Sequence, residues 1–353
     1  MPGRPVAGGP ANATARLVRG LVESDVQATV IAPALANESS RTLEVDGALV
    51  HVVAHDQRFL TPRRMRPWRH AALPLVEASG ADLVHGQGVI TGGVVVADVA
   101  SSTRRVVTAR GNARQDVLAA YPGVAGRLRA AWGDHEVARV VDAADVTVNV
   151  HPDWRINLPR KPNHLVHIPN IVDDVFFSVT HAPIEGRVLF CGGTRRIKGF
   201  DVLATAWPAV RRAIPGATLR VVGWPSDAAP VELPGAESNG TLDPAGLAAE
   251  LARAELVVIP SRYEVSPILL AEAWATGTPV IATTAGGMAA LAPGAAVVVP
   301  VDAQEALAEA IAGALADPTS VAGYVSEGRA RADRHRERAV VDAHRSLYAE
   351  LLS

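Results

Sequence analysis

Along this chain, short runs dense in valine, isoleucine and leucine alternate with longer stretches whose apolar residues recur at helical spacing. The dense runs predict strands, the spaced stretches predict helices, and their alternation predicts parallel α/β sheets. In the first half, "ANATARLVRGLVES" (11–24) reads as a helix and "VQATVIAP" (26–33) as the strand after it. "ADLVHGQG" (81–88), "RRVVTARGN" (104–112) and "ADVTVNVHP" (144–152) read as further passages from a helix end into a strand, with polar residues in the loops. The second half restarts with the strand "GRVLFCGG" (186–193), the helix "GFDVLATAWPAVRRAIPG" (199–216) and the strand "ATLRVVGWP" (217–225). A helix (244–254), the strand "ELVVIPS" (255–261), the helix "PILLAEAWATG" (267–277) and the strand "PVIATTAGG" (279–287) follow. An amphipathic helix (302–317) and a longer helical tail (329–352) complete the chain.

The seam lies near "FFSVTHAPIEGR", where polar residues and proline separate two sheet patterns. The expected fold is therefore α/β, with two Rossmann-like parallel-sheet domains facing across a cleft. The first spans 1–182 and is rejoined by a C-terminal helix, 334–353; the second spans 183–333. In open parallel sheets ligands bind outside the carboxyl ends of strands, so the chemistry is to be sought in the loops that follow them.

Composition changes this picture in a few respects. A length of 353 residues suits two separate cores, and no apolar run is long enough for a membrane-spanning helix. The opening "MPGRPVAGGPANATARL" lacks the apolar centre of a signal peptide. Cys191 is the single cysteine, which excludes an internal disulfide and a Cys-rich metal site and suits a reducing cytoplasm. A net charge of −2 argues against a nucleic-acid partner. Of 34 basic residues only Lys161 and Lys198 are lysines, a bias that, with the many alanines, fits a GC-rich bacterial genome. A lysine that persists against it draws attention.

Two carboxylates bound the stretch "EVSPILLAE", Glu264 to Glu272. Ser266-Pro267 reads as a helix start, with serine capping the free amides and proline at the first helical position. Gly277, with Pro279 beyond it, is the matching stop. Between them only Glu272 and Thr276 interrupt an apolar surface, so the helix is expected to be buried and Glu272 to need a partner. A ligand with a diphosphate at the helix start and a ribose farther along would supply one; another protein group or a wet helix edge would serve as well. The second element is "LFCGGTRRIKGFD". Gly192-Gly193 ends a strand and Lys198-Gly199 precedes a helix, so backbone and positive charge can both approach a phosphate. A solvated basic turn is the plainer alternative.

With these residues in view, the chain resembles the GT-B glycosyltransferases of the large retaining class called family four, or glycosyl transferases group 1. The resemblance runs in family order over most of the length. "RPVAGGPANATARLVRGL" resembles the glycine loop and first helix, "ADLVHGQG" the strand ending in histidine, and "VVTARGN" the strand that ends in His-Gly or Arg-Gly. "HIPNIVDDVFF" resembles the Pro-Asn-x-Val-Asp passage, "VLFCGGTRRIKGFDVL" the Gly…Lys-Gly loop, and "EVSPILLAEAWATGTPVIATTAGG" the Glu-x7-Glu signature with its Gly-Gly turn. The resemblance implies a nucleoside-diphosphate sugar, most often of UDP, in the second domain and a small-molecule, glycan or glycolipid acceptor mostly in the first. Lys198 would hold the diphosphate and Glu264 the donor sugar, as the catalytic pair. Glu272 would take the ribose hydroxyls, with Gly192, Gly193, Arg195, Arg196, Ser266, Ile268 and Leu269 around the donor. Gly8 and Gly9 would bring backbone amides to the phosphate, and His85, Arg110 and Asn112 would line the acceptor side. No cofactor and no metal is expected. Retaining transfer without an enzyme nucleophile implies front-face attack, in which the departing diphosphate helps deprotonate the incoming hydroxyl.

Three departures from the family pattern stand out. Its opening strand has no counterpart before "AGG": the strand is lost, the start was set too late, or the edge is built differently. Gly193 stands where the family often has an arginine, leaving Arg195 or Arg196 to replace it. Ser266-Pro267 replaces Phe-Gly, and "GGMAALAP" lacks an acidic residue. The same architecture also serves nucleotide-sugar epimerases, disaccharide phosphorylases and degenerate subunits that bind nucleotide without turnover. Finally "TPRRMRPWRH", with its basic and aromatic residues at Arg63 to His70, reads as a solvated loop face or, at most, a peripheral contact with anionic lipid.

Overall fold

The computed structural model describes residues 9–34, 38–54, 62–121, 123–225 and 231–353. The chain divides into two compact units, one of residues 10–169 with 338–353 and the other built on 170–337.

In the first of these, the helix Gly9–Val22 buries Ala13, Leu17 and Leu21, a four-residue spacing that sets one face against the core. Strands β1 (Thr29–Pro33), β2 (Arg41–Val45) and β3 (Ala48–Val53) form a small sheet in the order β1-β3-β2, with β1 parallel and β2 antiparallel to β3. The run-and-spacing pattern does not mark the β2–β3 hairpin, because β2 is mostly exposed and carries no dense apolar run. Its signal is Asp46-Gly47, whose φ values of 49° and 77° give the turn that matches strand twist. A second sheet holds β4 (Leu83–Gln87), β5 (Arg104–Ala109), β6 (Val146–Asn149) and β7 (Leu165–His167) in that order, all parallel. The C-terminal helix Glu337–Leu352 returns to this unit, and Val341 packs so closely on Gly20 that a Cβ there would lie 2.5 Å from its methyl.

The basic-aromatic stretch is a helix, Pro62–Ser79, and not a loop. Trp68 is 2% exposed in a core with Met65, Ala72, Val95 and Val140, and its indole N–H donates to the Thr91 carbonyl at 2.8 Å. Arg69 pairs with Asp98. The tryptophan is thus spent on the interior, and it gives no aromatic anchor for a lipid surface. Among the described residues, no helix is long and apolar enough to cross a membrane.

The unit 170–337 is a six-stranded parallel sheet: β8 (Arg187–Cys191), β9 (Thr218–Val222), β10 (Ala236–Asn239), β11 (Leu256–Ile259), β12 (Val280–Thr283) and β13 (Val297–Val299). Their order is β10-β9-β8-β11-β12-β13, so the winding reverses between β8 and β11. Both faces are covered. Leu189, Val257 and Ile259 point to the helices Pro244–Arg253 and Ile268–Thr276, while Val188, Phe190 and Val258 meet Phe200–Ala213 and Gln304–Ala316. The reversal opens a crevice at the carboxyl ends of β8 and β11, where such sheets bind ligands.

If Trp68 is a core residue, Trp68→Ala should cost about 3–5 kcal/mol of stability, read from the urea midpoint. An unchanged midpoint would contradict that placement.

Candidate functional site

The two strands flanking the reversal release the loops that carry Lys198 and Glu264. After β8 the chain passes Gly192 and Gly193, makes a tight turn at Arg196–Lys198 and enters the next helix through Gly199. Gly193 has φ 61°, and a Cβ there would stand 2.7 Å from the Gly223 carbonyl oxygen. An arginine at this position is therefore excluded by the backbone itself. Gly199 has φ 70°, and its Cβ would fall 1.9 Å from the Pro260 carbonyl oxygen, so the loops after β8 and β11 touch backbone to backbone.

That contact brings the Lys198 ammonium to Glu264 Oε1 at 2.7 Å, with side chains 29% and 11% exposed. The Ser261 hydroxyl donates to the same oxygen at 2.8 Å. The Glu264 carbonyl accepts the Gly287 N–H at 2.8 Å, fixing the loop to the Gly-Gly turn after β12. Glu272 belongs to the same charge constellation. Burial first, then the Glu272 carboxylate, pushes the Cys191 thiol up to about 12, while Lys198 opposes the rise. Positive and negative charge are thus held together at the crevice, in surroundings that screen them poorly.

The helix Ile268–Thr276 buries Leu270, Ala271, Ala273, Trp274 and Thr276 and stops at Gly277 with φ 76°. Its start differs from the expectation: Pro267, in extended conformation, is the N-cap residue and no side chain caps the helix. Ser266 lies one residue too early to reach the free amides. Its carbonyl instead accepts from Asn170 Nδ2 at 2.9 Å, and the Asn170 carbonyl accepts from His335 at 2.8 Å. Ile268 and Leu269 are half-buried in the first turn. Arg195 and Arg196 are exposed on the loop after β8, and Gly192 donates its amide to the Val222 carbonyl at 3.3 Å. Asn170 carries no signal in a one-dimensional pattern, since it acts on Ser266, far along the chain. Ser261 acts on Glu264 only three residues on, but no apolar rhythm or motif singles it out.

His85, Arg110 and Asn112 lie in the other unit. Thr108 and Tyr348 hydroxyls sit 2.7 and 2.5 Å from the two His85 ring nitrogens. Burial, then His344 and Arg110, holds His85 well below the usual histidine range. Arg110 donates to Gln87 Oε1 at 3.2 and 2.8 Å and is pulled to about 10 by burial. Asn112 caps the helix Ala113–Ala120, accepting from the Gln115 N–H at 3.1 Å, and donates to the Ile156 carbonyl at 2.8 Å. Gly9 is the first residue of the opening helix, and Gly8 lies outside the described residues. Among the described residues, no three His, Cys, Asp or Glu side chains gather as they would around a metal ion.

Two family models match in succession, the glycosyl transferase 4-like domain over residues 8–170 and glycosyl transferases group 1 over residues 185–317. The chain belongs to the group 1 glycosyl transferases, and its fold is of the GT-B class. Over 118 residues it is 39% identical to the D-inositol 3-phosphate glycosyltransferase of Segniliparus rotundus, a stretch that makes up 30% of this chain and only 26% of that protein. Sucrose-phosphate synthase from Thermosynechococcus elongatus shares the fold with a TM-score of 0.80 at 20% identity, over 98% of this chain and 94% of that one. HepE from Anabaena, solved in complex with UDP and glucose, gives 0.71 at 14% identity over 98% and 96%.

The buried histidines carry a pH prediction. Burial pushes His344 down to about 4 and His85 also lies low, so as pH falls below about 6.5 the unfolded chain binds protons that the folded chain refuses. Stability is full above that pH and declines from there toward about 4. Urea midpoints across this range should fall less steeply in His344→Leu than in the parent; parallel slopes would contradict the assignment.

Proposed function

We propose that this protein is a retaining glycosyltransferase, acting in a bacterial cytoplasm, that moves a sugar from a nucleoside-diphosphate sugar to a hydroxyl acceptor without a metal ion. UDP is the nucleotide we favour. The observation that carries this reading is the Lys198–Glu264 pair at the sheet reversal, with Glu272 in the same field. The family assignment supports it, as does the relative solved with UDP and glucose. The lone cysteine and the scarcity of lysine support the cellular setting.

In this reading the diphosphate exchanges with Glu264 as the partner of Lys198. Lys198 then stabilises the charge that grows on the departing phosphate oxygen as the sugar C1–O bond breaks, with Arg195 and Arg196 adding positive potential. Positive side chains thereby do what a metal ion would do for the leaving group. The acceptor oxygen attacks C1 from the same face, and its proton passes to the departing diphosphate. Glu264 turns to the hydroxyls of the donor sugar, and Glu272 accepts from those of the ribose. Ser266, Ile268 and Leu269 line the donor at the uncapped helix start, and the backbone of Gly192-Gly193 lets phosphate approach. Gly8 and Gly9 are assigned to the phosphate as well. His85, Arg110 and Asn112 are assigned to the acceptor, with Arg110 as the charged member.

Melting temperatures with UDP, GDP, ADP and TDP, each with and without EDTA, test the donor assignment. A ligand at about 100 times its Kd stabilises by roughly 2.7 kcal/mol, so one nucleotide should raise Tm whether or not EDTA is present. No rise with any nucleotide would overturn the donor site, and a rise abolished by EDTA would overturn metal independence. With a donor identified, Lys198→Ala should lower kcat about 10²–10³-fold, and Glu264→Ala with unchanged transfer would sink the donor-sugar role.

A further inference from the structure

Arg262, two residues before Glu264, joins three segments of the unit 170–337. Its backbone N–H donates to the Ile197 carbonyl at 2.8 Å and its Nη1 to the Arg196 carbonyl at 2.6 Å. The guanidinium grips both carboxylate oxygens of Asp201 at 2.7 Å each, and Nε donates to Asp302 Oδ1 at 2.8 Å. Arg196 and Ile197 immediately precede Lys198, and Asp201 lies in the first turn of the helix that follows it. Asp302 sits in the loop after β13 with φ 58°, a left-handed conformation that disfavours a non-glycine residue. A carboxylate held there against backbone preference and aimed at one guanidinium marks a constrained point.

As ion pairs these contacts are weak. Asp201 and Asp302 are 58% and 56% exposed and Arg262 is 21% exposed, so solvent screens most of the Coulomb attraction. Their effect is geometric: a rigid planar fork ties the backbone just before Lys198 to the backbone just before Glu264. We infer that Arg262 is a positioning residue that sets Lys198 relative to Glu264, and thereby sets how strongly the site holds the second phosphate of a nucleoside diphosphate. This rests on the donor-site reading above.

The test is titration calorimetry of the wild type, Arg262→Ala and Arg262→Lys with UMP and UDP, and with the matching pairs of guanosine, adenosine and thymidine. In the wild type the diphosphate should bind more tightly than the monophosphate. Arg262→Ala should narrow that gap about tenfold, leaving monophosphate affinity unchanged and Tm within about 2 °C, as expected for exposed pairs. Arg262→Lys should not restore it, since an ammonium carries the charge without the fork. If Arg262→Ala does not fold, Asp302→Asn, which weakens one arm, should narrow the gap about threefold. An unchanged gap, equal losses for mono- and diphosphate, or full rescue by lysine would each overturn the positioning role. A wild type that binds no nucleotide would overturn the donor-site reading, and this inference with it.

Discussion

An ammonium and a carboxylate 2.7 Å apart, both largely withdrawn from water, are the constraint on which the candidate site depends. Removing either partner alone would leave a poorly solvated charge, which is far more costly than the pair itself. The bond donated by the Ser261 hydroxyl and the backbone bond donated by Gly287 hold Glu264 in place without neutralising it. In the proposed donor site, this carboxylate is the partner that a diphosphate would replace at Lys198. The proposed exchange would keep the lysine paired throughout, so no step would require an isolated buried cation.

The sheet makes this arrangement possible. Reversing the winding between β8 and β11 separates the helices that follow those strands, and the loops they release are drawn together at one crevice. Gly193 and Gly199 let backbone pass where any side chain would collide with a carbonyl. The close approach of the loops after β8 and β9 leaves no room for a side chain at Gly193, so the positive charges on this loop are those of Arg195, Arg196 and Lys198.

Much of this was legible in the sequence. Dense apolar runs located β8, β9, β11 and β12, the spacing of Ala13, Leu17 and Leu21 located the first helix, and Lys198, Glu264 and Glu272 stood out by type and context. What was hidden depends on partners distant in the chain or on exposed elements without an apolar rhythm. The β2–β3 hairpin shows only two turn residues. Trp68 reads as an amphipathic surface residue until the core behind it is known. Ser266 has the chemistry of a cap, but the extended Pro267 moves the helix start past it. Asn112 also caps the helix Ala113–Ala120, a structural role that the polar loop around it does not announce. Ion pairs such as Arg262 with Asp302, 40 residues apart, have no one-dimensional trace.

The central claim is that Lys198 leaves Glu264 for the diphosphate of a bound nucleotide. A crystal structure of the protein soaked with the nucleoside diphosphate that raises its melting temperature tests this most directly. The account predicts a diphosphate oxygen within hydrogen-bond distance of Lys198 Nζ, and Glu264 no longer its partner. A nucleotide bound with the Lys198–Glu264 bond intact and its phosphates elsewhere would contradict it.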